Sequence, residues 1–180
     1  MIKPTKKHYQ KLYDETDYGK HTKGRNPSVR YLKRYEKWIG EKGSKVIDYG
    51  CGTGELVEIL NRKGFQAKGI DQIKYNPNMI IGDITRPLKD FEGIDVALSF
   101  DVLEHLELNK VHKLLNNLSK AKKAIFTIHN GPSVEDKLEL HITRMTFEKW
   151  EVILREYFDL HRGILLHENQ KLYLATPKSN

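Results

Sequence analysis

The residues best suited to chemistry are acids placed where apolar runs give way to turns: Asp48, Asp71, Asp83 and Asp101. Asp48 ends the run Lys45-Val46-Ile47 and is followed by Gly50-Cys51-Gly52-Thr53-Gly54, three glycines spaced two apart. Without Cβ atoms, such glycines let the backbone take positive φ and let a ligand come close, at the start of a helical stretch that begins at Glu55. A dinucleotide-binding loop would keep an apolar residue where Asp48 stands, so the acid suits a ligand with a cationic group and no pyrophosphate. Asp71 lies about where an acid reaches the ribose hydroxyls of a nucleoside on such a loop, and one carboxylate accepts both hydroxyl protons. Further on, Asp101, His129 and His141 are titratable groups able to take a proton in one cleft.

The stretch Val46-Ile47-Asp48-Tyr49-Gly50-Cys51-Gly52-Thr53-Gly54 resembles the first motif of the class I S-adenosylmethionine-dependent methyltransferases. The resemblance implies that Gly50, Cys51, Gly52 and Gly54 wrap the methionine and ribose part of S-adenosylmethionine, with Asp48 near its amino group. It implies that Asp71 and Gln72 meet the ribose, that Asp83 and Ile84 meet the adenine, and that Phe100 is a further cofactor-binding residue. In that family a helical segment before the first motif covers the cofactor, often through an aromatic ring, which makes Tyr13 and Tyr18 candidates; Arg25 and Arg30 could meet the cofactor carboxylate.

Ser99-Phe100-Asp101-Val102-Leu103-Glu104-His105-Leu106 again resembles the family, in which the end of the fourth strand faces the transferred methyl. Methyl transfer from a sulfonium is an in-line displacement, so the protein has to position the nucleophile and take its proton. Asp101 is the expected base, with His129 and His141 facing the same cleft. No Asn-Pro-Pro-Tyr or Asp-Pro-Pro-Tyr follows the strand, which argues against amino methylation of DNA bases. The single cysteine, Cys51, belongs to the glycine loop, so no thiol is left to attack a pyrimidine ring. Asp101, Glu104, His105 and His141 also resemble the magnesium- or manganese-binding set of small-RNA 2′-O-methyltransferases, with Asp in place of the first Glu and without that family's flanking histidine-rich segments. The reading preferred here uses no metal; the alternatives are a metal-assisted RNA 2′-O-methyltransferase and a regulatory protein that binds the cofactor without turnover.

These residues need a scaffold that brings strand ends together. The pattern after the glycine loop predicts helix Glu55 to Arg62, strand Gln66 to Ile70, strand Met79 to Ile81, strand Val96 to Phe100, helix Glu104 to Leu118, strand Ala124 to Ile128 and helix Phe147 to Phe158. Strands alternating with helices mean a parallel sheet. Arg162 to His167 and Lys171 to Thr176 are separated only by Glu168, Asn169 and Gln170, a connection short enough to require an antiparallel hairpin. The fold class is therefore α/β, a Rossmann-like three-layer sandwich whose mostly parallel seven-stranded sheet closes with an antiparallel last strand; the resemblance implies the order 3-2-1-4-5-7-6. Before it, Val29, Leu32, Tyr35, Trp38 and Ile39 form the stripe of one amphipathic helix over residues 27 to 39, opened by Pro27 and closed by Gly40.

A chain of 180 residues with 38% hydrophobic and 31% charged residues fits one soluble domain, read as a helical cap over 1 to 44 and a Rossmann-like core over 45 to 180. One cysteine excludes an intrachain disulfide framework and a cysteine-rich zinc site. No apolar run approaches the ~20 residues of a membrane span and the first 25 residues are polar, so the expected location is cytoplasmic. The net charge of +7 comes largely from the first 45 residues and permits a negatively charged substrate. The connection from His129 to Thr146 is expected to act as a substrate lid. With no separate recognition domain in the reading, the acceptor is expected to be a small molecule, anionic or sugar-like, with RNA second.

Overall fold

The computed structural model describes residues 4–16, 18, 26–87, 93–135 and 137–179. The expectation for Arg25 lies outside these residues. Among them, a seven-stranded sheet runs in the order β3-β2-β1-β4-β5-β9-β8. Its strands are β1 (Lys45–Tyr49), β2 (Gln66–Asp71), β3 (Met79–Ile81), β4 (Val96–Phe100), β5 (Lys123–His129), β8 (Phe158–His167) and β9 (Gln170–Pro177). Between β5 and β8 lies a hairpin of two-residue strands, β6 (Val134–Glu135) and β7 (Leu138–Glu139). With that hairpin left out of the numbering, the order is the expected 3-2-1-4-5-7-6.

β1 pairs in parallel with both β2 and β4, β2 with β3, and β4 with β5. Both faces of such a sheet are covered, which is why β4 is buried along its whole length. The two-residue period of a strand divides these side chains between two cores. Ile47, Tyr49 and Ala97 point to the face covered by α5 (Leu108–Leu118) and α6 (Phe147–Tyr157), where Leu114 and Trp150 pack. Val46, Val96 and Leu98 point to the other face, covered by α3 (Leu32–Ile39) and α4 (Glu55–Arg62) through Tyr35, Ile39, Leu56 and Leu60. β9 runs antiparallel to both β5 and β8, as the short connection demanded.

Three elements depart from their sequence reading. The stripe over 27 to 39 is broken at Tyr31, whose ψ of 9° leaves the helical region and separates α2 (Pro27–Arg30) from α3. The helix expected from Glu104 instead begins at Leu108. Leu103–His105 form a 3₁₀ turn, and Leu106 is extended, with φ −100° and ψ 150°. This break turns Glu104 into the protein, where it is fully buried. Finally, β8 begins four residues earlier than expected, and β9 begins at Gln170, so the hairpin turn is only Glu168-Asn169.

Candidate active site

The carboxyl ends of the parallel strands, α1 (Lys6–Glu15) and the segment after β5 enclose a cleft of about 920 Å³. Its floor is the glycine loop. Gly50, Gly52 and Gly54 have φ of 76°, 58° and 78°, values a side chain would strain. They serve different ends. A Cβ on Gly50 would meet Val102 Cγ2 at 2.5 Å, and one on Gly54 would run into Asn76 and Met79, whereas one on Gly52 would lie 3.0 Å from the Tyr13 hydroxyl. Gly50 and Gly52 line the cleft; Gly54 turns the chain into α4 from outside it.

The loop is held from β2. Gly50 N–H donates to the Ile70 carbonyl at 2.8 Å, and Gly52 N–H donates to Asp71 Oδ2 at 2.9 Å. Asp71 Oδ1 accepts from Gln72 N–H at 2.7 Å. The acid expected at the ribose therefore also shapes the glycine loop, a role that sequence spacing does not reveal. It lines the cleft with Gln72 and keeps lone pairs free for hydroxyls. Burial raises its pKa, partly offset by these backbone donors.

Asp48 lies below the loop, 3% exposed, and its Oδ1 has no hydrogen-bond partner. Burial, and secondarily the Asp71 charge, push its carboxyl up to about 7. Cys51 lines the cleft with its thiol pushed far up by burial, so it is no nucleophile at neutral pH.

At one end of the cleft lie Asp83 and Ile84. Asp83 Oδ1 accepts from both the amide and the hydroxyl of Thr85, at 2.9 and 2.7 Å. These bonds hold its pKa below the usual range and fold the carboxylate onto its own turn, leaving Oδ2 as the oxygen available to a ligand, 3.6 Å from Arg86 Nε. Phe100, 8% exposed, packs its ring 5.0 Å from that of Tyr35 and closes the cleft from below.

α1 is the roof. Tyr13 stands over Gly52 with its ring 5.5 Å from Tyr18 and 5.8 Å from Tyr75. Tyr75 in turn donates its hydroxyl to Asp14 Oδ1 at 3.0 Å. Tyr13 and Tyr18 thus reach the cleft as expected, together with Tyr9, which sequence reading did not single out for it.

The opposite end holds the titratable groups. Asp101, with a left-handed φ of 51°, is the expected base, yet its carboxylate is already engaged. Thr127 Oγ1 donates to Oδ1 at 2.6 Å, and Gln170 Nε2 reaches Oδ1 and Oδ2 at 2.8 and 2.6 Å. Gln170 comes from β9, the far side of the hairpin, and nothing in its local sequence announces the contact. His129, His141 and His105 line the same end. A carbonyl can only accept, so the 2.6 Å contact of His141 Nδ1 with Gly131 O places a hydrogen on Nδ1 and leaves Nε2 with its lone pair. The 3.1 Å contact of His105 Nδ1 with Leu140 O does the same, and the Tyr9 hydroxyl oxygen shares that hydrogen. Burial lowers all three imidazole pKa values, that of His105 to about 3, so all are neutral at pH 7.

Glu104 lies beneath them. Its Oε1 accepts from His129 N–H at 2.8 Å, its Oε2 has no partner, and burial with the nearby Asp101 charge raises its pKa well above the ordinary value. One oxygen of Glu104 and one ring nitrogen each of His105 and His141 lie within 4.8 Å of one another. Of the four residues named by the metal-binding resemblance, the structure brings these three together; Asp101 is turned toward Gln170 instead.

The residues fit a cofactor with an ammonium group and a nucleoside. An orphaned buried carboxylate lies under a glycine cradle, a second carboxylate borders it, and the turn that carries Asp83 and Ile84 flanks the far end. Comparison with known proteins points the same way. A family model described as a methyltransferase domain matches residues 18–162. The ubiquinone biosynthesis O-methyltransferase of Coxiella burnetii is 33% identical over 89 residues, which are 42% of this chain and 38% of that protein. The matched part thus spans well under half of this curated relative. Among solved structures, the PH0226 protein of Pyrococcus horikoshii OT3 aligns with a TM-score of 0.75 at 16% identity, covering 97% of this chain and 100% of that one. The 1,6-didemethyltoxoflavin-N1-methyltransferase of Burkholderia thailandensis, solved with 1,6-didemethyltoxoflavin and S-adenosylhomocysteine, aligns with a TM-score of 0.74 at 12% identity, covering 99% and 92%. At such identities these two show a shared fold. No described helix is long and apolar enough to cross a membrane.

Proposed function

Because the chain belongs to this S-adenosylmethionine-dependent methyltransferase family, we propose that it transfers a methyl group to an oxygen or nitrogen of a small-molecule acceptor. The observation that carries the reading is Asp48, a buried carboxylate with an unpartnered oxygen beneath a glycine loop. Such a group is costly unless a cation meets it, and the ammonium of S-adenosylmethionine is that cation. Bound there, S-adenosylmethionine supplies an electrophilic methyl on a sulfonium. The chain's own work is to hold the ribose with Asp71 and Gln72, cover the glycine loop with Tyr13, and orient the acceptor.

Proton removal falls to His129 and His141 ahead of Asp101, whose oxygens are spent on Gln170 and Thr127. Both histidines are neutral and line the cleft, the state a general base needs. Beside them a cavity of about 170 Å³, lined by Arg30, Tyr31, Asp101, His129, His167 and Gln170, leaves room for a further part of the acceptor, with Arg30 suited to an anionic substituent. The name of the Coxiella relative, an O-methyltransferase of ubiquinone biosynthesis, supports a small acceptor. Calorimetry tests the cofactor. S-adenosylmethionine and S-adenosylhomocysteine should bind while NAD and ATP should not, and Gly52→Trp, which fills the cradle, should abolish binding. Unchanged binding in that variant would mean the site is elsewhere.

A second reading adds a divalent cation, and one arrangement favours it. One oxygen of Glu104 and one ring nitrogen each of His105 and His141 lie within 4.8 Å of one another, Glu104 Oε2 has no partner, and both imidazoles are held through Nδ1 by backbone carbonyls, as histidines that ligate metals commonly are. A cation held there would act on an acceptor oxygen; imidazole and carboxylate together suit manganese better than magnesium. Binding of manganese alone to wild type and not to Glu104→Ala, with chelator-sensitive methylation, would establish this reading. Turnover untouched by chelator would leave the metal-free one.

A further inference from the structure

We propose that Asn117, on α5 and outside the cleft lining, is the positioning residue for the cofactor's adenine. Asn117 is 3% exposed. Its side-chain amide donates to the Ile84 carbonyl at 2.8 Å and to the Arg86 carbonyl at 2.9 Å, thirty-three and thirty-one positions away in the chain. Both hydrogens of the one amide nitrogen are thus spent on the turn that carries Asp83, Ile84 and Thr85 along the cleft wall.

β3 ends at Ile81, and beyond it the backbone supplies two bonds, Gly82 N–H to the Asp71 carbonyl at 2.9 Å and Arg86 N–H to the Asp83 carbonyl at 3.0 Å. Two sets of side-chain bonds complete the turn. From inside, Asp83 Oδ1 gathers the Thr85 amide and hydroxyl; from below, Asn117 fixes the carbonyls of Ile84 and Arg86 and thereby the direction in which the peptide groups of the turn face. Asp83 is exposed, and its Arg86 partner at 3.6 Å is more exposed still, so the bonds from inside are open to water. The amide of Asn117 is not, and hydrogen bonds made out of water are the ones costly to lose. A planar base is read by groups held at fixed angles, which makes a rigid wall the condition for telling its edge from another. α5 is itself anchored in the core by Val111, Leu114, Leu115 and Leu118, so Asn117 transmits the position of the sheet to the adenine end of the cleft.

The inference rests on the reading of Asp83 and Ile84 as the adenine site. Calorimetry with two probes separates the two claims: S-adenosylhomocysteine, and S-inosylhomocysteine, in which a carbonyl and a ring N–H replace adenine's amino group and its neighbouring lone pair. Wild type should prefer the first by about tenfold or more, the range for a mismatched buried polar contact. Asn117→Leu, which keeps the volume and removes the donors, should bring the ratio close to one while its binding of S-inosylhomocysteine stays within about twofold of wild type. Asn117→Ser keeps a single donor and should give an intermediate ratio; it carries the test alone if the leucine variant fails to fold. A general loss of folded protein would weaken both probes alike. Retained preference in both variants would overturn the role of Asn117 while leaving the adenine site standing. Equal binding of the two probes by wild type would overturn the adenine assignment and the inference with it.

Discussion

Asp48 carries two costs that a ligand can lift: it is buried, and one of its oxygens has no partner. With its carboxyl pushed from 3.8 to about 7, the folded chain retains a proton that the unfolded chain gives up above pH 4. Folding stability from this group is therefore fully present below about pH 4, falls as pH rises towards 7, and levels off above it; the loss is on the order of 4 kcal/mol. A cofactor ammonium beside Asp48 favours the ionised form and reverses the sign for binding. S-adenosylhomocysteine should bind about tenfold more tightly at pH 8 than at pH 6, with one proton released, as calorimetry in buffers of different ionisation heat can count. In Asp48→Asn the affinity should be lower and flat over that range, and the variant should be more stable than wild type at pH 8. A pH-dependent affinity that survives in Asp48→Asn would place the cofactor's ammonium against another group.

The hairpin of β8 and β9 does more than complete the sheet. Gln170, 4% exposed at the start of β9, clamps both carboxylate oxygens of Asp101 at the end of β4. β5 lies between the two strands and supplies Thr127 to the same carboxylate. Three strands are thus tied at the edge of the cleft by one acid whose backbone sits at a φ of 51°. Gln170→Leu removes the donor and leaves the carboxylate short of partners, so the chain should lose about 1 to 3 kcal/mol. In urea this should appear as a lower midpoint at unchanged slope. An unmoved midpoint would mean that water replaces the glutamine at no cost.

At the scale of the whole molecule, the sheet is clamped between two apolar layers, and the cleft occupies only the carboxyl ends of its strands. Trp150 on α6 is completely buried among residues of the first layer and does not line the cleft. Trp150→Ala should cost about 3 to 5 kcal/mol through lost burial and the cavity left behind. That corresponds to a Tm lower by roughly 10 °C in a chain of this size. Affinity for S-adenosylhomocysteine, measured at a temperature where the variant is folded, should stay within about twofold of wild type, since stability and binding draw on different parts of the fold. A parallel loss of affinity would show that this layer sets the cleft's shape.

The amino-acid sequence alone determined a parallel sheet with an antiparallel closing pair, the glycine loop and the acids at successive strand ends, because each rests on local rules; the strand order was implied by the family resemblance. Strand ends are marked by glycine and aspartate, a short connection between strands admits only an antiparallel pair, and an interrupted apolar run has a two-residue or a helical period. What it could not show lies in contacts between distant residues and in backbone breaks too small to disturb a pattern. Glu104 and His105 continue the apolar spacing of α5, so the sequence reads as one helix. Only the extended Leu106 turns them inward toward His141, thirty-six residues on from His105. Asp101 reads as a free base because nothing near it in the chain uses its carboxylate; Gln170, sixty-nine residues away, does. Asn117 reads as one more polar position on a helix, and its two bonds to the turn after β3 exist only once α5 has packed on the sheet. Side-chain hydrogen bonds are short and directional, so their partners are chosen by where the fold brings atoms within about 3 Å, and sequence periodicity carries no record of that choice.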